Sequence, residues 1–204
     1  MGPVTPEREH MTASGDILKR WICLVLLLAM VPACRSARTT KYVHPNMDLG
    51  AIRRVAVFPF ESLVQDRTAG EKVQKIFLTE LLALEAFEVA EPGLVTKVLK
   101  ADRAESVDAL GPADLKRLGE TLKVQGIFLG SVVDFSETRT GTTPAPEVTI
   151  QLRLVETESG VTVWSASRTR SGATASARLF GIGGQSLTEA ARDLVREELS
   201  TLVK

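Results

Sequence analysis

The sequence predicts a mixed domain of the α/β (α+β) class, in which helices pack on a mixed sheet of about five strands in a three-layer type of arrangement. Two observations lead to this prediction. Apolar residues recur at helical spacing in the first and last parts of the chain, and they alternate with polar residues between about positions 125 and 168. The chain has 204 residues and is 44% hydrophobic, which is typical of one folded domain.

Charge and cysteine content exclude several classes of protein. The 25 basic residues balance the 25 acidic ones, whereas a general nucleic-acid binder carries a basic excess. Two cysteines alone form neither a disulfide scaffold nor a four-ligand zinc site. We therefore expect no nucleic acid, no metal and no cofactor as ligands.

The amino terminus has the features of a bacterial lipoprotein signal peptide. Lys19 and Arg20 precede an apolar run over residues 21–33, which is shorter than the roughly 18 residues that a membrane span needs. The run ends in Val-Pro-Ala followed by Cys34, which resembles the lipobox of bacterial lipoproteins. We expect residues 1–33 to be removed and Cys34 to carry the lipid. A buried apolar helix with an incidental cysteine is the alternative. Glu7 and Glu9 are atypical of the start of a signal peptide, so Met1 and Met11 both stay open as the start codon.

A polar segment without periodicity follows the lipobox. Residues 34–50 are predicted to be the lipidated cysteine and a flexible tether, which fully extended reaches about 53 Å. The globular domain is then expected over residues 51–204. Arg35 follows the cysteine, and resemblance to enteric lipoproteins implies from this an outer-membrane location facing the periplasm.

The first half of the domain predicts two strands and three helices. Residues 54–60 and 87–90 are short apolar runs bounded by proline, which favours buried strands. Residues 69–87 have helical spacing of apolar side chains. A second helix begins near Leu94, and a third begins at Pro112, since proline is favoured in a first turn.

The second half predicts three strands and a closing helix. Alternation of apolar and polar residues marks strands over residues 125–135, 147–155 and 161–168. Gly160 closes a hairpin connection, where a positive φ is needed. Apolar residues at helical spacing then define a last helix from about Leu187. The predicted order is β-α-β-α-α-β-β-β-α.

Four segments together resemble one family. RVAVFPFES, FEVAEP, ADLKRLGETLKVQGIFLGSVVDFSE and VTIQLRLVETESGVTVWSASRTRSG are similar to the CsgG-like bacterial lipoproteins. That group includes the curli-secretion protein, the activator of a bifunctional peptidoglycan synthase and a lipoprotein of Pel polysaccharide export, and it is similar in fold to the TolB amino-terminal domain. The resemblance covers roughly residues 51–203 and implies a non-enzymatic subunit in the cell envelope.

One departure from the family is informative. The curli channel passes two long hairpins per subunit through the outer membrane, each with strands of about 9 to 11 residues. Here the link over residues 137–146 is short and polar and contains two prolines. A pore of the curli type is therefore not expected, and both a ring and a partner-binding monomer stay open.

Candidate sites are few, and none predicts catalysis. The glycines of residues 181–184 precede a helix but lack the Lys-Ser/Thr ending of a phosphate-binding loop, so a hinge is the better interpretation. His44 has no second histidine or cysteine nearby, and Glu156 and Glu158 flank a turn. We assign these residues no role.

A partner surface is the remaining candidate site. Trp164 and Phe58 are expected in the core, but polar neighbours of Trp164 on the same strand face leave a second interpretation as an exposed anchor. Arg168 and Arg170 follow closely and are suited to an acidic partner. The possible partner surface therefore comprises Trp164, Arg168 and Arg170.

These features predict a lipid-anchored periplasmic protein that acts by binding. We expect an assembly or stabilising subunit in envelope biogenesis or export, with an envelope protein as partner or self-association into an oligomer. The alternative is an activator or regulator of a peptidoglycan-synthesising enzyme. An envelope hydrolase is a third class, which no motif supports.

Overall fold

The structure is a computed structural model, and it describes residues 38–102, 109–140, 143–171 and 185–202 in addition to Gly2. Seven strands form one open mixed sheet, and four α-helices pack on it. The predicted α+β class is confirmed. The predicted elements occur in the predicted order, and two further strands join the five expected.

The strands are β1 (Arg38–Val43), β2 (Arg54–Val57), β3 (Glu61–Ser62), β4 (Glu88–Val89), β5 (Gly126–Thr140), β6 (Thr143–Glu156) and β7 (Thr162–Ser171). The helices are α1 (Ala69–Ala83), α2 (Pro92–Ala101), α3 (Pro112–Leu122) and α4 (Leu187–Leu199), and a short 3-10 helix spans Leu49–Ala51.

The sheet combines a parallel and an antiparallel half. Its strand order is β1-β7-β6-β5-β2-β4, and β3 pairs with β5 beside β2. β2 is parallel to both β4 and β5, because helices connect these strands, whereas β5, β6, β7 and β1 pair antiparallel. β5 therefore lies at the junction of the two halves.

Helices cover the two faces of the sheet unequally. On one face, α1 and α4 contribute to a core that includes Phe77, Phe128 and Leu194 and that reaches across β5, β6 and β7. On the other face, α2 and α3 form a smaller core around Phe58 and Ile127. The second core includes only Val155 of β6 and no buried residue of β7 or β1.

Local signals explain where the helices begin and end. Ser186 and Glu189 form a reciprocal capping box at the start of α4. Pro92 and Pro112 open α2 and α3. α3 ends at Lys123, which adopts a φ of 55°. The hairpin connection before β7 has Gly160 at a φ of 70°, as predicted.

The structure differs from the expected tether. Residues 38–43, which the sequence assigns to the tether, form β1 and pair with β7 from Arg38 opposite Thr169 to Val43 opposite Trp164. The 3-10 helix then follows, with Asp48 accepting a hydrogen bond from the Gly50 amide at 2.8 Å. Only residues 35–37 separate Cys34 from the sheet.

The link expected between the third and fourth predicted strands is also different. β5 and β6 continue to Thr140 and from Thr143, so most of residues 137–146 belongs to a long hairpin. Pro144 and Pro146 lie within β6, beyond Glu147, which is the last residue of β6 with a described partner on β7.

Candidate interaction surfaces

Trp164 lies in the core beneath α4. Its side chain is fully buried, and its indole Nε1 donates to the hydroxyl of Thr201 at 3.3 Å. Its ring meets Phe128 edge to face, with 6.3 Å between the ring centroids. Phe58 is also fully buried, on the opposite face of the sheet. The expectation that Trp164 anchors a partner surface is therefore corrected, because α4 covers it.

Arg168 and Arg170 attach β7 to α4. Arg168 Nη1 lies 2.6 Å from a carboxylate oxygen of Glu197, and Arg170 pairs with Glu197 and, at 3.5 Å, with Asp193. The side chains of the two arginines are only 14% and 20% exposed. Both arginines are therefore paired with acidic side chains of α4 and are not available to an acidic partner, which is a second correction to the predicted surface.

Glu198 is a buried acidic residue on the inner side of α4. It has no exposed surface, and neither oxygen of its carboxyl has a hydrogen-bond partner in the described structure. Burial raises its pKa to about 9, and the charge of Arg168 opposes this shift. The carboxyl is therefore protonated at neutral pH. Its position one turn after Leu194, on the apolar stripe of α4, was the sequence signal for its burial.

An apolar groove lies at the end of the sheet where β1 finishes. It has a volume of about 880 Å³ and is lined by Val43, Met47, Leu49, Phe87 and Leu202, with Arg53, Glu85 and Glu88 at its sides. This groove was not predicted, because its walls come from segments that are distant in the sequence.

Four of the seven exposed large apolar side chains of the described residues lie at or next to two strand edges, and the other three are Leu82, Leu94 and Val161. On β1, Tyr42 is 47% and Val43 is 39% exposed. Across the sheet, Leu63 is 62% and Val133 is 39% exposed, beside the irregularity that interrupts β5 between Val132 and Asp134. Exposed apolar groups at strand edges are features of contact surfaces.

The remaining predicted positions are structural or lie outside the described residues. His44 Nδ1 accepts a hydrogen bond from the Asn46 amide at 3.3 Å. Glu156 accepts from the Ser159 amide at 2.9 Å, and Glu158 pairs with Lys116 at 2.5 Å. Cys34 and the glycines of residues 181–184 are outside the described part of the chain.

The described residues contain neither a cluster of metal-binding side chains nor a membrane-spanning helix. No group of three or more His, Cys, Asp or Glu side chains is arranged to hold a metal ion there. None of the helices in that part of the chain combines the length and the apolar character that crossing a membrane requires.

The chain is similar in structure to several solved proteins. No protein-family model matches it, and no curated protein matches it. Among solved structures, a PelC dodecamer from Paraburkholderia phytofirmans is 21% identical, with a TM-score of 0.55 over 81% of this chain and 98% of that chain. Lipoprotein GNA1162 from Neisseria meningitidis is 14% identical, with a TM-score of 0.53 over 73% of this chain and 99% of that chain.

Identities this low establish the fold and no more. The expected lipoprotein-type fold is confirmed, whereas the narrower assignment to the CsgG-like family stays a prediction. The chain thus shares its fold with PelC and with GNA1162 across nearly the whole length of those proteins.

Proposed function

We propose that this protein is a lipid-anchored lipoprotein of the bacterial envelope that acts by binding, as an assembly or stabilising subunit in envelope biogenesis or export. The observation that carries the proposal is the position of Cys34. It ends a signal-peptide-like segment and lies four residues before the first strand of the domain.

The short link determines where the domain works. Four residues span at most about 14 Å between Cys34 and Arg38. A lipidated Cys34 therefore holds the start of β1 next to the bilayer. Two or three acyl chains make such an anchor stable, whereas a single chain binds only marginally. Arg35 follows the cysteine, as in enteric lipoproteins of the outer membrane, and this supports an outer-membrane location facing the periplasm.

The polar side chains of the predicted sites support binding rather than catalysis, because they form contacts within the fold. Arg168, Arg170 and Glu197 stabilise the contact between β7 and α4, and Glu156 caps a turn. The exposed features are strand edges and an apolar groove, which are suited to protein contacts. The shared fold with PelC, which is solved as a dodecamer, supports self-association as the form of assembly.

A regulator of a peptidoglycan-synthesising enzyme is less well supported. Such a regulator, anchored in the outer membrane, needs a long tether to reach an enzyme across the periplasm. Because the sheet begins at Arg38, only the three residues 35–37 remain as a tether between Cys34 and the first strand. The contact would have to form at the membrane that holds the anchor.

The anchor is tested by metabolic labelling with radioactive palmitate in a Gram-negative host. The wild-type protein is expected to incorporate label, and Cys34→Ser is expected to lose it. Cys23→Ser is the matched control, because this cysteine lies in the segment to be removed, and it should label like the wild type. Label in Cys34→Ser, or its absence from the wild type, would contradict the lipoprotein assignment.

The location is tested by separating the inner and outer membranes of the same cells on a density gradient. We expect the labelled protein in the outer-membrane fraction. Recovery with the inner membrane would refute the outer-membrane assignment and leave the lipid anchor standing.

A further inference from the structure

Two stretches of strand edge have no neighbour in the part of the sheet that the structure describes. β1 pairs with β7 on one side only. β5 pairs with β2 and then with β3 as far as Val132, but from Asp134 to Thr140 it pairs only with β6. Unpaired backbone N–H and C=O groups at such edges are templates for another strand.

The side chains at both edges face solvent. Thr40 and Lys41 are exposed, and Tyr42 and Val43 are 47% and 39% exposed. Exposed side chains on the β5 edge are Ser136, Glu137 and Thr138. Phe135 is half-buried among them and packs against the larger core.

The strand directions allow the two edges to meet in different copies of the chain. β5, β6, β7 and β1 alternate in direction, so β1 runs opposite to β5. When two copies stand side by side in the same orientation, β1 of one copy is antiparallel to β5 of the next. The sheet then continues from copy to copy with ordinary antiparallel pairing.

We propose that copies of this chain associate head to tail by pairing the outer edge of β1 with the edge of β5 beyond Asp134, with Lys41 opposite Glu137. This inference rests on the proposed function and names the surface through which the assembly forms. The register places Val43 opposite Phe135, Tyr42 opposite Ser136, Lys41 opposite Glu137 and Thr40 opposite Thr138.

The faces of the two strands agree in this register. Lys41 and Val43 lie across from the buried Ala166 and Trp164, so they are on the face that α4 covers. Phe135 packs into the core on that same face, and Glu137 is two residues farther along the strand. Residues directly opposite in an antiparallel pair share a face, so Val43 meets an aromatic ring and Lys41 meets a carboxylate.

Other registers lose these contacts. A slip by one residue reverses the faces and places Lys41 opposite Ser136 or Thr138. A slip by two residues places it opposite Phe135 or the like-charged Arg139. The register with Lys41 opposite Glu137 is therefore the one in which both the charged pair and the apolar pair form.

The contact is heterologous, since it joins two different edges. Repetition of such a contact produces a closed ring if the rotation per copy closes, and an open chain otherwise. The pairing of β3 with β5 reaches Val132, and the register of β5 against β6 shifts at the next residue, between Val132 and Asp134. Irregularities of this kind commonly terminate pairing at the edges of sheets.

Cross-linking in cells tests the register directly. Tyr42→Cys and Ser136→Cys are introduced together into the full-length chain, which the cell exports to an oxidising compartment. Within one copy these positions are three strand spacings apart sideways, about 14 Å, and Tyr42 is level with Leu129, so Ser136 also lies about 20 Å farther along β5. A disulfide needs Cα atoms within about 7 Å, so a bond between them joins two copies.

We expect a ladder of dimer, trimer and larger species on a non-reducing gel, which reductant collapses to the protomer. Each single variant, and the pair Thr121→Cys with Ser136→Cys, are the controls, because Thr121 is exposed on α3 away from both edges. These controls should give no ladder. Equal ladders in the control pair, or no ladder in the test pair, would overturn the proposed register.

Charge exchange is an independent test of the same contact. In the cross-linking background, Lys41→Glu or Glu137→Lys alone should lower the yield of cross-linked species by about fivefold, and the two together should restore it. Failure of the double variant to recover would also count against the pairing.

The mass of the wild-type protein distinguishes an error in the proposed contact surface from an error in the proposed assembly function. A high mass without the ladder would mean that copies assemble through another surface, so this inference would be wrong and the assembly function would stand. A monomeric mass without the ladder would contradict both.

Discussion

At the scale of single residues, Glu198 links the stability of the fold to pH. Its pKa of about 9 in the folded protein lies above its ordinary value of 4.5, because it is buried. The folded state therefore keeps a proton that the unfolded chain releases. The stabilisation is fully present below pH 4.5 and is lost progressively as pH rises from there through 9.

Glu198→Gln should remove this dependence while keeping the shape of the side chain. We expect the free energy of unfolding of the variant to exceed that of the wild type at pH 8 and to change little between pH 5 and 9. Urea denaturation of the detergent-solubilised protein at several pH values measures this. Glu120→Gln, at an exposed position, should retain the wild-type profile. An unchanged profile in Glu198→Gln would contradict the assigned burial.

Gly119 is required by a close approach between α3 and Thr157, in the turn that follows β6. A Cβ at this position would lie 2.5 Å from Cβ of Thr157, whose hydroxyl donates to the Val124 carbonyl at 3.0 Å. We expect Gly119→Ala to lower the free energy of unfolding by about 1 to 3 kcal/mol. Thr121→Ala, on the solvent side of the same helix, should change it by less than about 0.5 kcal/mol. Equal effects of the two substitutions in urea melts would argue against the close contact.

The residue-level predictions from sequence succeeded where the signal was local. The positive φ of Gly160 follows from turn chemistry within a few residues. The role of Trp164 depends on which segment covers its strand face, and that segment is α4, more than twenty residues later. Periodicity indicates that a face is apolar, but it does not identify the covering helix, so the partner surface around Trp164 was misplaced.

At the scale of elements, α4 is stabilised by its cap. The Ser186 hydroxyl accepts from the Glu189 amide at 3.2 Å, and the Glu189 carboxylate accepts from the Ser186 amide at 2.9 Å. The hydrogen bonds that the Glu189 carboxylate accepts from the Ser186 amide and the Ser186 hydroxyl hold its pKa below the usual value. We expect Ser186→Ala to cost about 1 kcal/mol of unfolding free energy. Thr188→Ala, exposed in the first turn, is the control for urea melts, and an equal loss there would argue against the cap.

Helices were predicted well because each has an apolar stripe and start signals of its own. β1 was missed because an edge strand exposed on both faces has no apolar alternation: Thr40, Lys41 and Tyr42 are all exposed. The outer parts of β5 and β6 were missed for a related reason. Their composition is polar, and prolines such as Pro144 and Pro146 argue against the interior of a sheet when only the sequence is known.

At the scale of the whole molecule, the position of β1 joins the anchor to the sheet. The strand that begins four residues after Cys34 also has no partner on its outer side among the described residues. A lipidated Cys34 would confine copies to one membrane surface with β1 starting at that surface. Such confinement favours contacts between copies in a common orientation. In the proposed register each copy is offset from the next by seven residues along β5, because Val43 is level with Phe128 in its own copy and opposite Phe135 in the next, so the strands would be inclined to the membrane in such an assembly.

The central claim is that this domain works as an assembled subunit, and the mass of the intact lipidated protein tests it most directly. Light scattering after size exclusion in a mild detergent gives that mass, with the detergent contribution subtracted. We predict a discrete species of several protomers that persists on dilution. A monomer at all concentrations would contradict the account.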